Sequence, residues 1–437
     1  MVRRRWIPAA AAACAAALAL AGCGSSGGSA GGGGTASGPV KLEFWGWAPG
    51  YQQSVALWNK SHPDIQVSFE KVPSGAKGGY TKMLTAAQAG NAPCLAEVGY
   101  ETLPSFAAAG ALQDVTQYLS ADQGQFAGWT WNQVTIQGKT YGVPVDVAPM
   151  GLLYNKTLFA KYGVTTPPAT WADYAADAAK IHQADPSVSI GYLGNDAYNY
   201  AGLDWQASAP WFGTASDAWQ VSVDSATGQK VAAYWQGLVA QHLLSTDQSY
   251  SATLYKDMAA GKILSDVNAV WDAPILASSD TGQSGQWAVA PMPVWNASSP
   301  AYGNDGGSST AVLKGCQYPQ QAAQFADWMS TDPQSVTNLI NVTGIYPAAT
   351  SGLTNSALSA PDKFFGDQTI YDVFKAEMPE INTSWLWGPT MTQTATDLGN
   401  DLGDVETGSQ TLTGMLSDVQ TKTVSELKSQ GMSVSGS

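Results

Sequence analysis

The chain has 437 residues, 44% of them apolar, which is enough to bury a large core and more than one core usually takes, so two lobes are expected. Lys and Arg number 20 against 34 Asp and Glu, a formal charge of −14 without a basic stripe, which argues against nucleic acid and anionic membrane surfaces as partners. Only 12% of residues are charged, whereas 17 Trp and 18 Tyr raise the aromatic share to 10%, so some of the rings are expected to serve a ligand.

At the N-terminus, Arg3, Arg4 and Arg5 precede an Ala/Leu-rich run that ends in Leu20-Ala21-Gly22-Cys23. Residues 1–22 read as an export signal. The LAGC tetrad resembles a bacterial lipobox, which implies that Cys23 becomes the lipid-bearing mature N-terminus; the alternative is an ordinary signal peptide with an incidental cysteine. The Gly/Ser-rich stretch from Gly24 to Gly38 then makes residues 23–39 a flexible tether, and the folded part starts near Val40. Loss of the signal takes the charge to −17 and removes every arginine. Without the planar guanidinium fork an anionic ligand is poorly served, and neutral polyols fit better. Cys94 and Cys316 remain after processing, and in an oxidising compartment they either pair or stay as buried thiols. His62, His182 and His242 are scattered, so neither a metal nor another cofactor is expected.

Along the chain, Val40, Leu42 and Phe44 alternate with Lys41, Glu43 and Trp45, the period of a strand. A helix from Tyr51 to Asn59 follows, and a second alternation at Ile65, Val67 and Phe69 ends at Pro73. A helix carrying Tyr80, Met83, Leu84 and Ala87 stops at Gly90-Asn91 before an apolar strand over 95–98. The opening is that of an α/β lobe. Thr170 is placed to cap a helix starting at Trp171, and Thr331-Asp332-Pro333 opens another toward Ile340.

The stretches Lys41–Gly46 (KLEFWG), Tyr80–Pro93 (YTKMLTAAQAGNAP), Ala107–Val115 (AAAGALQDV), Tyr141–Lys156 (YGVPVDVAPMGLLYNK) and Pro168–Trp171 (PATW) resemble, in order and spacing, family 1 extracellular solute-binding proteins. Gly261–Ser278, Gly306–Gly315 and Ala322–Ser330 continue the pattern, so the resemblance covers roughly residues 40 to 400. It implies a two-lobe periplasmic-binding-protein-like (type II) α/β fold with hinge strands and a ligand cleft between lobes. Crossings would fall near residues 147, 300 and 345, giving lobe 1 as 40–147 plus 300–345 and lobe 2 as 148–299 plus 346–437. Cys94 stands where the family usually has Asp after the Gly-Asn-Ala-Pro turn, which favours Cys316 as its partner.

A sugar cleft needs flat rings for the C–H faces of a pyranose and fixed polar groups for its hydroxyls. Candidates are Trp45 and Trp47 after the first strand, Tyr100 and Glu101, Asp146 at the crossover, Trp271 and Asp272, Asp305 and Gly306, and Trp385 and Trp387 in TSWLWGP. Glu101, Trp271 and the late tryptophan pair are given by the resemblance. Asp146 is a lone carboxylate in an apolar run, which a hinge hydrogen bond would also explain. Tyr346, Trp205 and Trp211 are weaker candidates. The expected function is reversible capture of a neutral mono- or oligosaccharide for an ABC importer, by a monomer held to the membrane through its lipid alone and working with permease subunits. The rivals are a secreted glycosidase, a receptor for a cationic ligand such as a polyamine or peptide, and a structural surface lipoprotein. Two G-x-S-x-G matches within Gly24–Gly31 lie in the tether, where no strained elbow forms.

Overall fold

The computed structural model describes residues 38–435; the export signal, Cys23 and residues 24–37 of the tether lie outside them. The first alternating stretch is a strand, Val40–Gly46, with Leu42 and Phe44 buried and Lys41 and Glu43 exposed. It pairs in parallel with Ile65–Lys71 on one side and Leu95–Gly99 on the other. The helix between the first two, Tyr51–Ser61, buries Tyr51, Val55 and Trp58, and Gly90 ends the next helix, Gly79–Ala89, in the left-handed conformation (φ 73°) that glycine adopts without strain. Antiparallel to Leu95–Gly99 runs Ser308–Val312, which also pairs with Gly142–Pro144. A distant part of the chain has thus returned to complete the first sheet.

The second sheet has Met150–Asn155 between Ser265–Ala269 and Trp287–Pro291, both antiparallel to it. Around it packs an aromatic core in which Trp171 lies against Tyr174 and Trp235. Thr170 closes a full capping box with Asp173 at the start of the helix Trp171–Ala184. In the other expected cap the work falls to Asp332, whose carboxylate accepts from the backbone of Gln334 and Ser335. Much of the tryptophan content is core: Trp171, Trp205, Trp211, Trp235 and Trp287 are each exposed by 2% or less.

Between the sheets the chain crosses by short strands. Asp146–Val147 pairs antiparallel with Tyr346–Pro347, and Pro149 bridges Asn304. The Asn304 side chain ties these crossings together, accepting from Ala148 N (3.0 Å) and donating to Gly306 O (2.9 Å). After Tyr346 the chain stays against first-lobe residues, Ala349 bridging Phe126 and Thr350 donating to Gln125 O, before Phe364 O accepts from Gly285 of the second lobe.

Cys94 and Cys316 form a disulfide with Cα atoms 4.5 Å apart. Strand register explains the meeting: Val312 pairs with Leu95, so the turn after Val312 brings Cys316 back over Cys94. Of the two states open to these thiols, the oxidised one is present.

Candidate interlobe binding site

On the first-lobe side, the site is built where the first and third strands end. Glu97, alone among polar residues in the buried strand Leu95–Gly99, accepts from Trp47 N (2.6 Å) and Ala48 N (3.1 Å), which fixes the loop carrying Trp47. The half-buried Trp47 ring meets Tyr80 edge-on, centroids 5.4 Å apart. Tyr80 OH accepts from Gly99 N (3.1 Å) and donates to Glu101 Oε1 (2.5 Å). Tyr100 OH donates to Asp146 O (2.9 Å), and the Asp146 carboxylate accepts from both N and Oγ of Ser308 at 2.7 Å. Gly307, at φ 93°, leaves room for Tyr100, whose ring a Cβ there would meet at 2.7 Å.

The second-lobe side is centred on Trp271, half-buried, with Nε1 donating to Asp305 O at 2.8 Å. Gly306 (φ 106°) turns the chain behind it, and the Tyr250 ring stands 6.0 Å from the indole. Tyr250 OH donates to Asp196 Oδ2 (2.9 Å), while Asp196 Oδ1 caps the helix Ala197–Gln206 through Tyr198 N. Asp272 is fully buried, and no donor among the described residues reaches either of its oxygens; Asp305 Oδ2 is also without one. The neighbour of Asp272 is another carboxyl, Asp266, so a shared proton is the internal means of easing that contact.

These carboxyls are buried close enough to feel one another's charge, and burial pushes them toward the neutral form. Burial raises Glu97 to about 8 and Glu101 to about 7, against hydrogen bonds that pull the other way. Asp146 rises to about 6 through burial, opposed by Ser308. Asp272 and Asp305 go well above the ordinary aspartate range, first through burial and then through the charges of Asp266 and Asp196 respectively.

The fold therefore brings together Trp47, Tyr100, Glu101, Asp146, Trp271, Asp272, Asp305 and Gly306. Trp45 turns elsewhere, its Nε1 on Glu43 (2.9 Å) and Lys82 Nζ 4.1 Å above its ring. Trp385 and Trp387 do share one environment, but it is a packed cluster: Trp385 stacks on Trp205 (5.0 Å, 5°) and Trp387 meets both edge-on. Both are only 3% exposed. The sequence reading missed Tyr80, Glu97, Asp196, Tyr250 and Asp266. Glu97 had a signal, a single carboxylate in an otherwise apolar strand, which is the argument that singled out Asp146.

A family model described as bacterial extracellular solute-binding protein matches residues 45–335. Among solved structures, the galacto-N-biose-/lacto-N-biose I-binding protein of the ABC transporter from Bifidobacterium longum, in complex with lacto-N-biose, is 32% identical with a TM-score of 0.82, covering 91% of this chain and 100% of that one. The ABC transporter associated binding protein from B. animalis subsp. lactis, in complex with beta-1,6-galactobiose, is 28% identical at the same TM-score, with the same coverage. A curated relative from Brucella abortus (strain 2308) is 31% identical over 134 residues, so the chain spans 32% of the length of that protein.

Proposed function

This chain belongs to the bacterial extracellular solute-binding proteins, and we propose that it is the substrate-binding component of an ABC importer, holding a neutral mono- or oligosaccharide between its lobes. One observation carries the reading: the open acceptors of Asp272 and Asp305 lie beside Trp271 with no arginine among the described residues to answer an anion. Hydroxyl donors from a sugar complete those acceptors, and its C–H face packs on the indole. Two similar proteins carry galactose-containing sugars in their complexes, which supports the same class of ligand.

On this reading Trp47, Tyr100, Glu101, Asp146, Trp271, Asp272, Asp305 and Gly306 form the site. The lobes are 40–147 plus 300–345 and 148–299 plus 346–437, with Ala349 and Thr350 of the latter seated on the first lobe. Closure is favoured by the ligand's greater affinity for the closed form, with no covalent step and no enzymatic activity. The protein is exported, acts as a monomer with permease subunits, and is anchored by lipid at Cys23, which raises its concentration beside them.

The test is calorimetry and thermal shift of the purified protein against mono- and oligosaccharides, polyamines and peptides, with the sugars recovered and analysed. Binding of an unaltered sugar supports the receptor; cleavage moves the assignment to a glycosidase, and a response to polyamines or peptides alone moves it to a cationic ligand.

A further inference from the structure

Asp272 differs from other buried carboxyls of the protein in having neither oxygen partnered. Asp204, Asp280 and Glu377 each leave one oxygen open but spend the other on Trp211 Nε1 (2.8 Å), Trp287 Nε1 (3.0 Å) and Met292 N (2.8 Å) respectively. For Asp272 no donor among the described residues reaches Oδ1 or Oδ2, and Asp305 adds an open Oδ2. Both residues adjoin Trp271, Asp272 as its neighbour in the chain and Asp305 through the carbonyl that accepts the indole N–H at 2.8 Å. The two carboxyls are close enough to feel each other's charge.

The donors on this side of the protein are spent elsewhere. Tyr250 OH goes to Asp196 Oδ2 (2.9 Å), Asn199 Nδ2 to Val267 O (3.0 Å), and both Tyr192 OH and Asn268 Nδ2 to Asp266 Oδ2 (3.4 Å). Tyr255 OH, which feels the charges of Asp266 and Asp272, is a buried hydroxyl left without a partner. The ion pairs among the described residues are made by Glu70, Asp257 and Asp401, and Lys77 Nζ stands 6.0 Å from the centre of the Tyr250 ring. Open acceptors that outnumber the free donors, in carboxyls without a cation, are what an ammonium answers. It brings three N–H donors and no acceptor, and its charge offsets the repulsion among Asp266, Asp272 and Asp305. A hydroxyl brings one donor and no charge. We propose that Asp272 and Asp305 read ligand hydroxyls as donors, so that the protein also captures amino sugars and holds a protonated amine there more tightly than the hydroxyl it replaces. This rests on the sugar-receptor reading above and extends it from neutral sugars to their amino derivatives.

The purified wild-type protein is titrated calorimetrically with mono- and disaccharides of galactose, glucose and xylose, and then with derivatives of those that bind, in which each hydroxyl in turn is replaced by fluorine or by an amino group. The titrations are run near pH 6, below the ordinary range of an amine. Fluorine has roughly the size of a hydroxyl and cannot donate. At one position or more, the fluoro derivative is expected to be at least about tenfold weaker than the parent and the amino derivative at least about threefold tighter. Amino derivatives that are no tighter than the parent at every position overturn the proposal and leave the receptor intact. No binding by any of the parents, with a response to polyamines or without one, overturns the sugar reading and this proposal with it. In Asp272→Asn and Asp305→Asn, checked for folding by circular dichroism, the amino-to-hydroxyl affinity ratio should fall to about one or below, a readout that a merely loosened site would not move. A ratio unchanged in both folded variants counts against these carboxyls, and the wild-type series decides if the variants do not fold.

Discussion

Asp272→Asn is expected to stabilise the ligand-free protein while weakening its hold on ligand. Asp272 is fully buried, no donor among the described residues reaches its oxygens, and the carboxylates of Asp266 and Asp305 press on it. A buried polar group left without a partner costs about 1–3 kcal/mol. The amide keeps the shape, removes the like charge and offers Asp266 a donor, so most of that cost should be recovered. For a chain of this size, that corresponds to a rise in Tm of roughly 1–4 °C. A sugar hydroxyl loses a carboxyl acceptor at the same time, a bond contributing about 0.5–1.5 kcal/mol, or roughly a 2- to 13-fold rise in Kd. Differential scanning calorimetry without ligand and titration with it read the two effects separately. A variant that melts more than about 2 °C lower yet binds normally would mean that Asp272 is already satisfied within the fold, and the argument for an open acceptor would fail.

Ligand-free stability should fall as pH rises from about 5 to 8. Asp146 at about 6 and Glu101 at about 7 hold protons in the folded state that the unfolded chain releases near 4, so their contribution is complete below that value and lost above the folded ones. Thermal melts that improve over the same range would refute those burials. Gly307→Ala places a Cβ 2.7 Å from the Tyr100 ring at φ 93°, and is expected to lower stability by about 1–3 kcal/mol in urea denaturation. Reduction, or Cys94→Ser with Cys316→Ser, opens a loop with a sequence separation of 222 and should cost about 5 kcal/mol on the chain-entropy account, measured by denaturation with and without reductant.

The elements of the first lobe, and the helix start at Thr170 in the second, were legible because their signals are local. Alternation over 40–45 and 65–69, the Gly90 stop and the Thr170 cap each depend on neighbouring residues, and each matches an element that formed. Asp332 was readable for the same reason, since an Asx cap needs only the backbone of the next turn. The site was less legible where it depends on convergence. Tyr250, at φ 58° in an irregular stretch, and Asp196, which looks in sequence like an ordinary helix cap, acquire their places only when the second lobe folds. Trp385 and Trp387 show the opposite failure: an alternating aromatic pair is the same in sequence whether the rings face a ligand or one another, and here the partner rings Trp205 and Trp211 decide it.

A receptor cleft of this kind sets stability against capture. The carboxyls that a polyol would engage are those the closed fold handles worst: Asp272 lacks donors, and Asp305 Oδ2 stands open. Glu97 and Asp146, by contrast, each accept two hydrogen bonds within the protein, from the backbone and from Ser308, and hold the loops in place. The division suggests two jobs for one residue type, a framework that is satisfied without ligand and a pair of acceptors that is not. Only the second group gives a ligand a difference between states to work on, because a group equally satisfied in both cannot shift the balance between them. Closure without sugar leaves these acceptors with no donor but a proton shared between carboxyls, and closure around sugar does not. On that reasoning the affinity of the closed state should be most sensitive to Asp272 and Asp305, while changes at Glu97 or Asp146 should act mainly on folding.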